Sequence, residues 1–193
     1  SSDLARAHNT ALPFSEVYGL PIIDRQGLRE LYAGKWEGLT IDEIAQLYTG
    51  DLLTWRDDFS NARCTGGEST QELYGRVVAE ILSIAKEYAG KTVLAATHAT
   101  PIRAVEAYAN GYRADEIHRV EFVKNASLNI FEYDLDTDTL RAVRTNIVDH
   151  LDVTGLLDEL VKGLQGSLKS IIELTVHCNY LFDSLSLIRS PDP

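Results

Sequence analysis

The stretch that decides the fold is Lys91-Thr-Val-Leu-Ala-Ala-Thr-His98, together with the segment that follows it as far as Gly111. Its central apolar run is continuous rather than alternating, which predicts a short buried strand in a parallel sheet covered on both faces. The next segment indicates a helix, with Thr100 as the N-cap, Pro101 as the first helical residue and Gly111 as the stop. His98 is therefore expected at the carboxyl end of a strand and beside a helix N-terminus, where α/β sheets bind ligands and phosphate is favoured. The alternative is a histidine that only packs between the strand and the helix.

Local signals divide the rest of the chain into helices, turns and strands. Two capping boxes, Thr40–Glu43 and Ser69–Glu72, predict helix starts, and the second begins the longest helix, which ends near Gly90. Alternation over 126–134 and again over 140–146 predicts a β-hairpin, so the aspartates of its turn are interpreted as turn residues rather than calcium ligands. The remaining expected elements are a helix capped by Ser2 or Asp3 and disturbed by Pro13, a strand after Gly19, a loop over 28–38, a short helix over 52–59 and a short helical connection over 113–119.

These elements predict an α/β fold: a mostly parallel open sheet flanked by helices on both faces, with a C-terminal β-hairpin and an atypical apolar tail. Residues 1–153 are expected to form the main domain. Residues 154–193 begin with an amphipathic helix and continue as an apolar segment rich in β-forming residues. We expect this tail to pack on the same domain.

Composition limits the classes of function. The net charge of −11 over 193 residues argues against a general nucleic-acid surface, although a local basic pocket for a small phosphate ester is compatible with it. No apolar stretch approaches the roughly 18 residues that span a membrane, and no signal peptide is recognisable, so no membrane partner and a cytoplasmic location are expected. Cys64 and Cys178 lie far apart and lack metal-ligand spacing, which indicates a reducing compartment.

Three side chains outside the strand and helix around His98 are candidates for phosphate chemistry. Arg6 lies in the first turn of the expected first helix, where a cation opposes the helix dipole unless an anion is nearby. The alternative for Arg6 is a solvated surface arginine. Glu30 and Glu37 lie in an irregular loop held by Trp36, and each is either a candidate acid or a solvated carboxylate.

Four motifs resemble those of a known family and occur in the family's order. Each is weak alone, but four in order make a strong signal. Over residues 1–150 the chain resembles the histidine phosphatase superfamily, which has the phosphoglycerate-mutase-like fold. The short segment between Glu30 and His98 resembles the branch of broad-specificity phosphatases more than the true mutases. The motifs are Ser1-Ser-Asp-Leu-Ala-Arg-Ala7, Leu28-Arg-Glu30 with Trp36-Glu-Gly38, Gly66-Gly-Glu-Ser69 with Arg76, and Val93 to His98 with Ile102-Arg103.

The resemblance implies a metal-independent phosphomonoester hydrolase that acts on a small phosphorylated metabolite through a phosphohistidine, with mutase-type phosphoryl transfer as an alternative. Arg6 would bind the phosphoryl oxygens, Glu30 would protonate the leaving oxygen, and His98 would donate hydrogen bonds to the phosphoryl group. Ala99 would lie at a phosphate-binding position where the family usually has glycine. No metal or other cofactor is implied. The implied partners are the phosphorylated substrate or inorganic phosphate and a second copy of the chain in a homodimer.

The chain departs from the family at the nucleophile. The family's histidine belongs to an Arg-His-Gly motif on the first strand, and the sequence begins after that point. Since methionine is also absent, we expect the 193 residues to be part of a longer natural product. A missing first strand would leave a seam beside the strand of His98, to be closed by dimerisation or by the tail.

Two alternatives follow from the missing motif. The tail residue His177 would be a displaced nucleophile, as after a circular permutation, although Val176 and Cys178 stand where the family has arginine and glycine. Otherwise His177 is a buried core histidine. The second alternative is an impaired family member or fragment that binds a phosphorylated ligand or a protein partner without turnover.

Overall fold

The computed structural model describes residues 1–151 and the strand 170–176. The described residues combine five α-helices with a four-stranded sheet, so the α/β class is confirmed. The helices are α1 (Ala5–Tyr18), α2 (Ile41–Leu47), α3 (Thr49–Asp57), α4 (Thr70–Glu87) and α5 (Ala99–Ala109), and the strands are β1 (Thr92–Thr97), β2 (Leu128–Asp134), β3 (Thr139–Ile147) and β4 (Ser170–Val176). Short 3-10 turns cover Gln26–Leu28, Gly34–Trp36, Phe59–Asn61, Ala114–Arg119 and Asp149–Leu151.

The four described strands form one sheet in the order β1-β4-β2-β3. β4 pairs in parallel with β1, from Thr92 opposite Ile171 to Thr97 opposite Val176. β2 is antiparallel to both β4 and β3. The expected parallel pairing is therefore present at β1, but the sheet of described strands is mixed rather than mostly parallel. The tight turn between β2 and β3 requires an antiparallel hairpin, as expected for this segment.

Helix α4 supplies much of the core. Its capping box is complete, because Ser69 accepts from the Glu72 N–H and the Glu72 side chain accepts from the Ser69 N–H. The predicted apolar stripe of this helix is buried, and it contacts α5. The stripe consists of Leu73, Val77, Ile81, Ile84 and Ala85.

Two expectations about local structure were wrong. Helix α1 continues through Pro13 to Tyr18 and ends at Gly19, which has a φ of 63°. The ring of Pro13 removes one helical hydrogen bond to the carbonyl of Asn9, but both residues are exposed, so water can bind that carbonyl. No strand follows Gly19 in this part of the described chain. The segment there is held instead by backbone hydrogen bonds between Ser1 and residues 23 and 25.

The start of α5 also differs from the expectation. His98 is the N-cap, Ala99 is the first helical residue and Pro101 is the third. Proline is tolerated there because the first-turn N–H groups have no partner within a helix. Only one residue, His98, separates the end of β1 from the start of α5, so the N-terminal amides of the helix lie directly after His98. No helix of the described residues is long and apolar enough to cross a membrane.

Candidate active site

His98 lies at the junction of β1 and α5 and is completely buried. Its Nε2 is 2.9 Å from the Ser2 hydroxyl oxygen. That oxygen also accepts from the Leu4 N–H at 3.4 Å, so the Ser2 hydroxyl hydrogen is free to donate to Nε2. When Ser2 donates to Nε2, the hydrogen of the neutral ring lies on Nδ1. Nδ1 is buried and has no partner among the described residues, so it is a polar atom left for a ligand.

The electrostatic surroundings keep His98 neutral. Burial is the largest cause, and the nearby charges of Arg6 and Arg76 add to it, so the pKa of His98 falls to about 3. The Asp3 carboxylate acts in the opposite direction. A neutral imidazole in this position can donate one hydrogen bond and accept another.

Glu30 is brought to the N-terminus of α5 although it is far from that helix in sequence. It is only 5% exposed. One carboxyl oxygen accepts from the Leu31 N–H at 2.7 Å and the other from the Thr100 N–H at 3.3 Å. Burial raises the pKa of Glu30, while these hydrogen bonds and the charge of Arg6 lower it in part. A buried carboxyl group with a raised pKa retains its proton more readily, as a general acid requires.

Arg6 is the second residue of α1, and its Nε is buried without a partner among the described residues. Its charge affects the pKa of both His98 and Glu30, so the guanidinium lies within electrostatic range of both. The structure therefore brings together three of the residues singled out in the sequence. Two of them have buried polar nitrogens that bind no other group in the described ranges, which fits an anion site.

The other sequence candidates differ in their placement. Ala99 is buried as the first residue of α5. Glu37 is exposed, which fits the solvated carboxylate rather than the candidate acid. His177 and Cys178 lie outside the described residues. In the described ranges, 1–151 and 170–176, no group of three His, Cys, Asp or Glu side chains is arranged to hold a metal ion.

Sequence reasoning gave four residues that shape this site no part in its chemistry, although it named Thr100, Ser2 and Asp3 as possible helix caps. Ser2 binds the His98 ring, and the Thr100 N–H binds Glu30. Asp3 forms two hydrogen bonds with Arg29, at 2.6 and 2.5 Å. Arg76 lies close enough to affect the pKa of His98. Ser2, Asp3 and Arg76 belong to the quoted motifs, so their positions were visible although their contacts were not.

Comparison with known proteins identifies the family. The profile of the histidine phosphatase superfamily (branch 1) matches residues 1–146. The chain belongs to the histidine phosphatase superfamily. Among curated relatives, the chain is similar to phosphoserine phosphatase 1 of Hydrogenobacter thermophilus, with 30% identity over 105 residues, or 54% of this chain and 50% of the relative. It is also similar to glucosyl-3-phosphoglycerate phosphatase of Mycobacterium tuberculosis, with 39% identity over 93 residues, or 47% of this chain and 41% of the relative.

Solved structures of the superfamily have the same fold. The YhfR protein of Bacillus stearothermophilus superimposes with a TM-score of 0.72 at 26% identity, covering 78% of this chain and 73% of that one. Mycobacterial glucosyl-3-phosphoglycerate phosphatase in complex with inorganic phosphate gives a TM-score of 0.61 at 28% identity, covering 75% and 74%. The family and the phosphoglycerate-mutase-like α/β fold expected from the motifs are thus confirmed. The matched part of the chain spans 50% of the length of phosphoserine phosphatase 1 and 41% of the length of the Mycobacterium tuberculosis relative.

Proposed function

We propose that the protein is a metal-independent phosphomonoester hydrolase that acts on a small phosphorylated metabolite. The observation that carries this proposal is the meeting of Arg6, Glu30 and His98 at the N-terminus of α5. The N-terminus of a helix favours an anion, and the unpartnered nitrogens of Arg6 and His98 can donate to phosphoryl oxygens. Phosphatases among the curated relatives, named for phosphoserine and for glucosyl-3-phosphoglycerate, support a phosphorylated metabolite as the substrate class.

The proposed reaction has two steps. In the first, a histidine nitrogen attacks phosphorus, the bond from phosphorus to the ester oxygen breaks, and the Glu30 carboxyl gives its proton to that oxygen. In the second, water attacks the phosphohistidine, the Glu30 carboxylate takes a proton from that water, and inorganic phosphate leaves. Arg6 and His98 stabilise the charge on the phosphoryl oxygens in both steps.

The attacking histidine is a separate part of the proposal. The family's Arg-His-Gly motif is absent from the 193 residues. Val176, the last residue of β4, pairs with Thr97, the residue before His98, and His177 follows Val176 in sequence. His177 is therefore the candidate within this chain, although it lies outside the described residues.

A second candidate function is phosphate binding without turnover, which the buried nitrogens of Arg6 and His98, without a partner among the described residues, also support. Arg6 and His98 would then hold a phosphorylated ligand, and no phosphohistidine would form.

Mutase-type transfer is a further candidate, since phosphoglycerate mutase-like protein 4 of Arabidopsis thaliana is 29% identical over 160 residues, or 81% of this chain and 67% of the relative. A homodimer and a cytoplasmic location stay predictions.

The experiment that tests the proposal compares Glu30→Gln and His98→Ala with the unaltered chain on an alkyl phosphate. We expect kcat to fall about 100-fold or more for each variant, because each removes a group that acts on the transition state. Glu37→Gln is the matched control: an exposed carboxyl in the same loop is neutralised, and the rate should not change. Full activity in both Glu30→Gln and His98→Ala would overturn the proposed roles.

A further inference from the structure

The guanidinium of Arg76 holds the backbone of the loop that carries Glu30. One terminal nitrogen donates to the carbonyl oxygens of Gly27, at 3.0 Å, and Arg29, at 2.9 Å. The other donates to the Glu30 carbonyl oxygen at 3.1 Å. Three carbonyls of an irregular loop are thus bound by one side chain of helix α4. Because this loop lacks a sheet or an α-helix of its own, such contacts decide where the Glu30 carboxyl lies.

Glu68 completes this arrangement. It accepts from Nε of Arg76 at 2.6 Å and from a terminal nitrogen at 2.8 Å. The Glu68 N–H also donates to the Tyr32 carbonyl at 2.9 Å, and the Tyr32 N–H lies 3.4 Å from a carboxyl oxygen of Glu68. The side chains of Arg76 and Glu68 are 27% and 15% exposed, so solvent screens this pair only in part. Together they bind the loop on both sides of Glu30.

The N–H groups of Arg76 are all used by protein groups, so this side chain does not act as a phosphate-binding residue. A guanidinium has five N–H groups in a fixed plane. The contacts of Arg76 with three carbonyls and two carboxyl oxygens use five donors. None is left for a phosphoryl oxygen. Arg6 differs, since its Nε is buried and has no partner among the described residues.

We propose that Arg76, held by Glu68, is the positioning residue for Glu30 and does not bind phosphate itself. It keeps the Glu30 loop against α4, so that the carboxyl group stays at the Thr100 N–H, where it can reach the leaving oxygen. This inference deepens the proposed hydrolase and rests on Glu30 being its general acid.

The first test uses Arg76→Lys, which keeps the positive charge and loses the planar fork. A general acid matters most when the leaving group is a poor one, so an alkyl phosphate and an aryl phosphate are compared. We expect kcat to fall about tenfold more on the alkyl than on the aryl phosphate, with the KM for both substrates nearly unchanged. An equal fall on both substrates, with weaker inhibition by inorganic phosphate, would overturn the proposal and make Arg76 a phosphate ligand.

Arg25→Ala is the matched control. The Arg25 side chain is 25% exposed and also bridges the preceding segment to α4, through Glu80 and Glu87. It touches no carbonyl of the Glu30 loop by its side-chain hydrogen bonds, so its loss should leave the ratio of the two rates unchanged. Glu68→Gln is the second variant and should shift the ratio in the same direction as Arg76→Lys.

A readout without turnover separates this inference from the proposed function. The carboxyl carbon of Glu30 is followed by NMR titration and is assigned by its disappearance in Glu30→Gln. In Arg76→Lys and in Glu68→Gln the Glu30 midpoint should fall, because the carboxyl becomes hydrated and the burial that raises its pKa is reduced. An unaltered chain without activity would refute the hydrolase and leave this titration valid. A midpoint that stays within error in both variants would overturn the positioning role.

Discussion

Burial shifts the pKa values of His98 and Glu30 in opposite directions, in each case toward the neutral form. The charged imidazolium form of His98 is poorly solvated between β1 and α5. The ring therefore releases its proton easily, and the pKa of His98 falls to about 3. The carboxyl keeps its proton more readily, since burial raises the pKa of Glu30. The site therefore presents a neutral imidazole and a carboxyl group with a raised pKa within electrostatic range of the Arg6 cation. These are the forms that the proposed roles in phosphate-ester hydrolysis require.

The shifted pKa of His98 predicts how stability depends on pH. Between pH 6.5 and 3 the unfolded chain takes up a proton on this histidine and the folded chain does not, so the free energy of unfolding falls as pH decreases. His98→Gln removes this loss. Between pH 6.5 and 5 the unaltered chain should lose about 2 kcal/mol more than the variant, measured by urea unfolding. The contribution of Glu30 is present in both chains and largely cancels. Parallel pH curves for the two chains would contradict the buried, neutral state of His98.

At the scale of elements, short sequence patterns predicted the helices and strands that depend on neighbouring residues. Both capping boxes, helix α4, strand β1 and the β2–β3 hairpin were expected and are present. The start of α5 at Ala99 was missed, because proline fits any position of a first helical turn. The Glu30–Thr100 contact joins residues 70 positions apart, so no local pattern predicts it, and only the family's motifs indicated that these segments meet.

Two loops of the site touch so closely that only glycine fits between them. A Cβ on Gly67 would lie 2.3 Å from the Tyr32 carbonyl oxygen and 2.9 Å from the Gly34 nitrogen. Gly67→Ala should therefore lower the free energy of unfolding by about 1–3 kcal/mol and displace the Glu30 loop, so that activity falls as well. Thermal unfolding and the phosphatase rate measure both effects. Gly75→Ala is the control: in the exposed middle of α4, it should stabilise the chain by about 0.5–1 kcal/mol. Equal stability of the Gly67 variant and the unaltered chain would show that the loops are not packed in this way.

At the scale of the whole molecule, the described strands form one sheet in which β4, from the tail, lies between β1 and β2. The seam expected beside the His98 strand is thus closed in part by a segment far along the chain, one of the two outcomes considered from the sequence. The net charge of −11 coexists with a site that contains the Arg6 cation, so the local field rather than the total charge bears on which ligand the site can accept. The nucleophile could not be assigned from the sequence, because the family's motif for it is absent.

The most direct test of phosphohistidine catalysis is intact-mass spectrometry of the chain during turnover of an aryl phosphate in EDTA. We expect continued turnover and a chain heavier by one phosphoryl group, stable to base and labile to acid. The adduct should accumulate in Glu30→Gln, because an aryl leaving group needs little protonation whereas water needs a base. A chain of verified mass with neither turnover nor adduct would contradict the account and favour phosphate binding without catalysis.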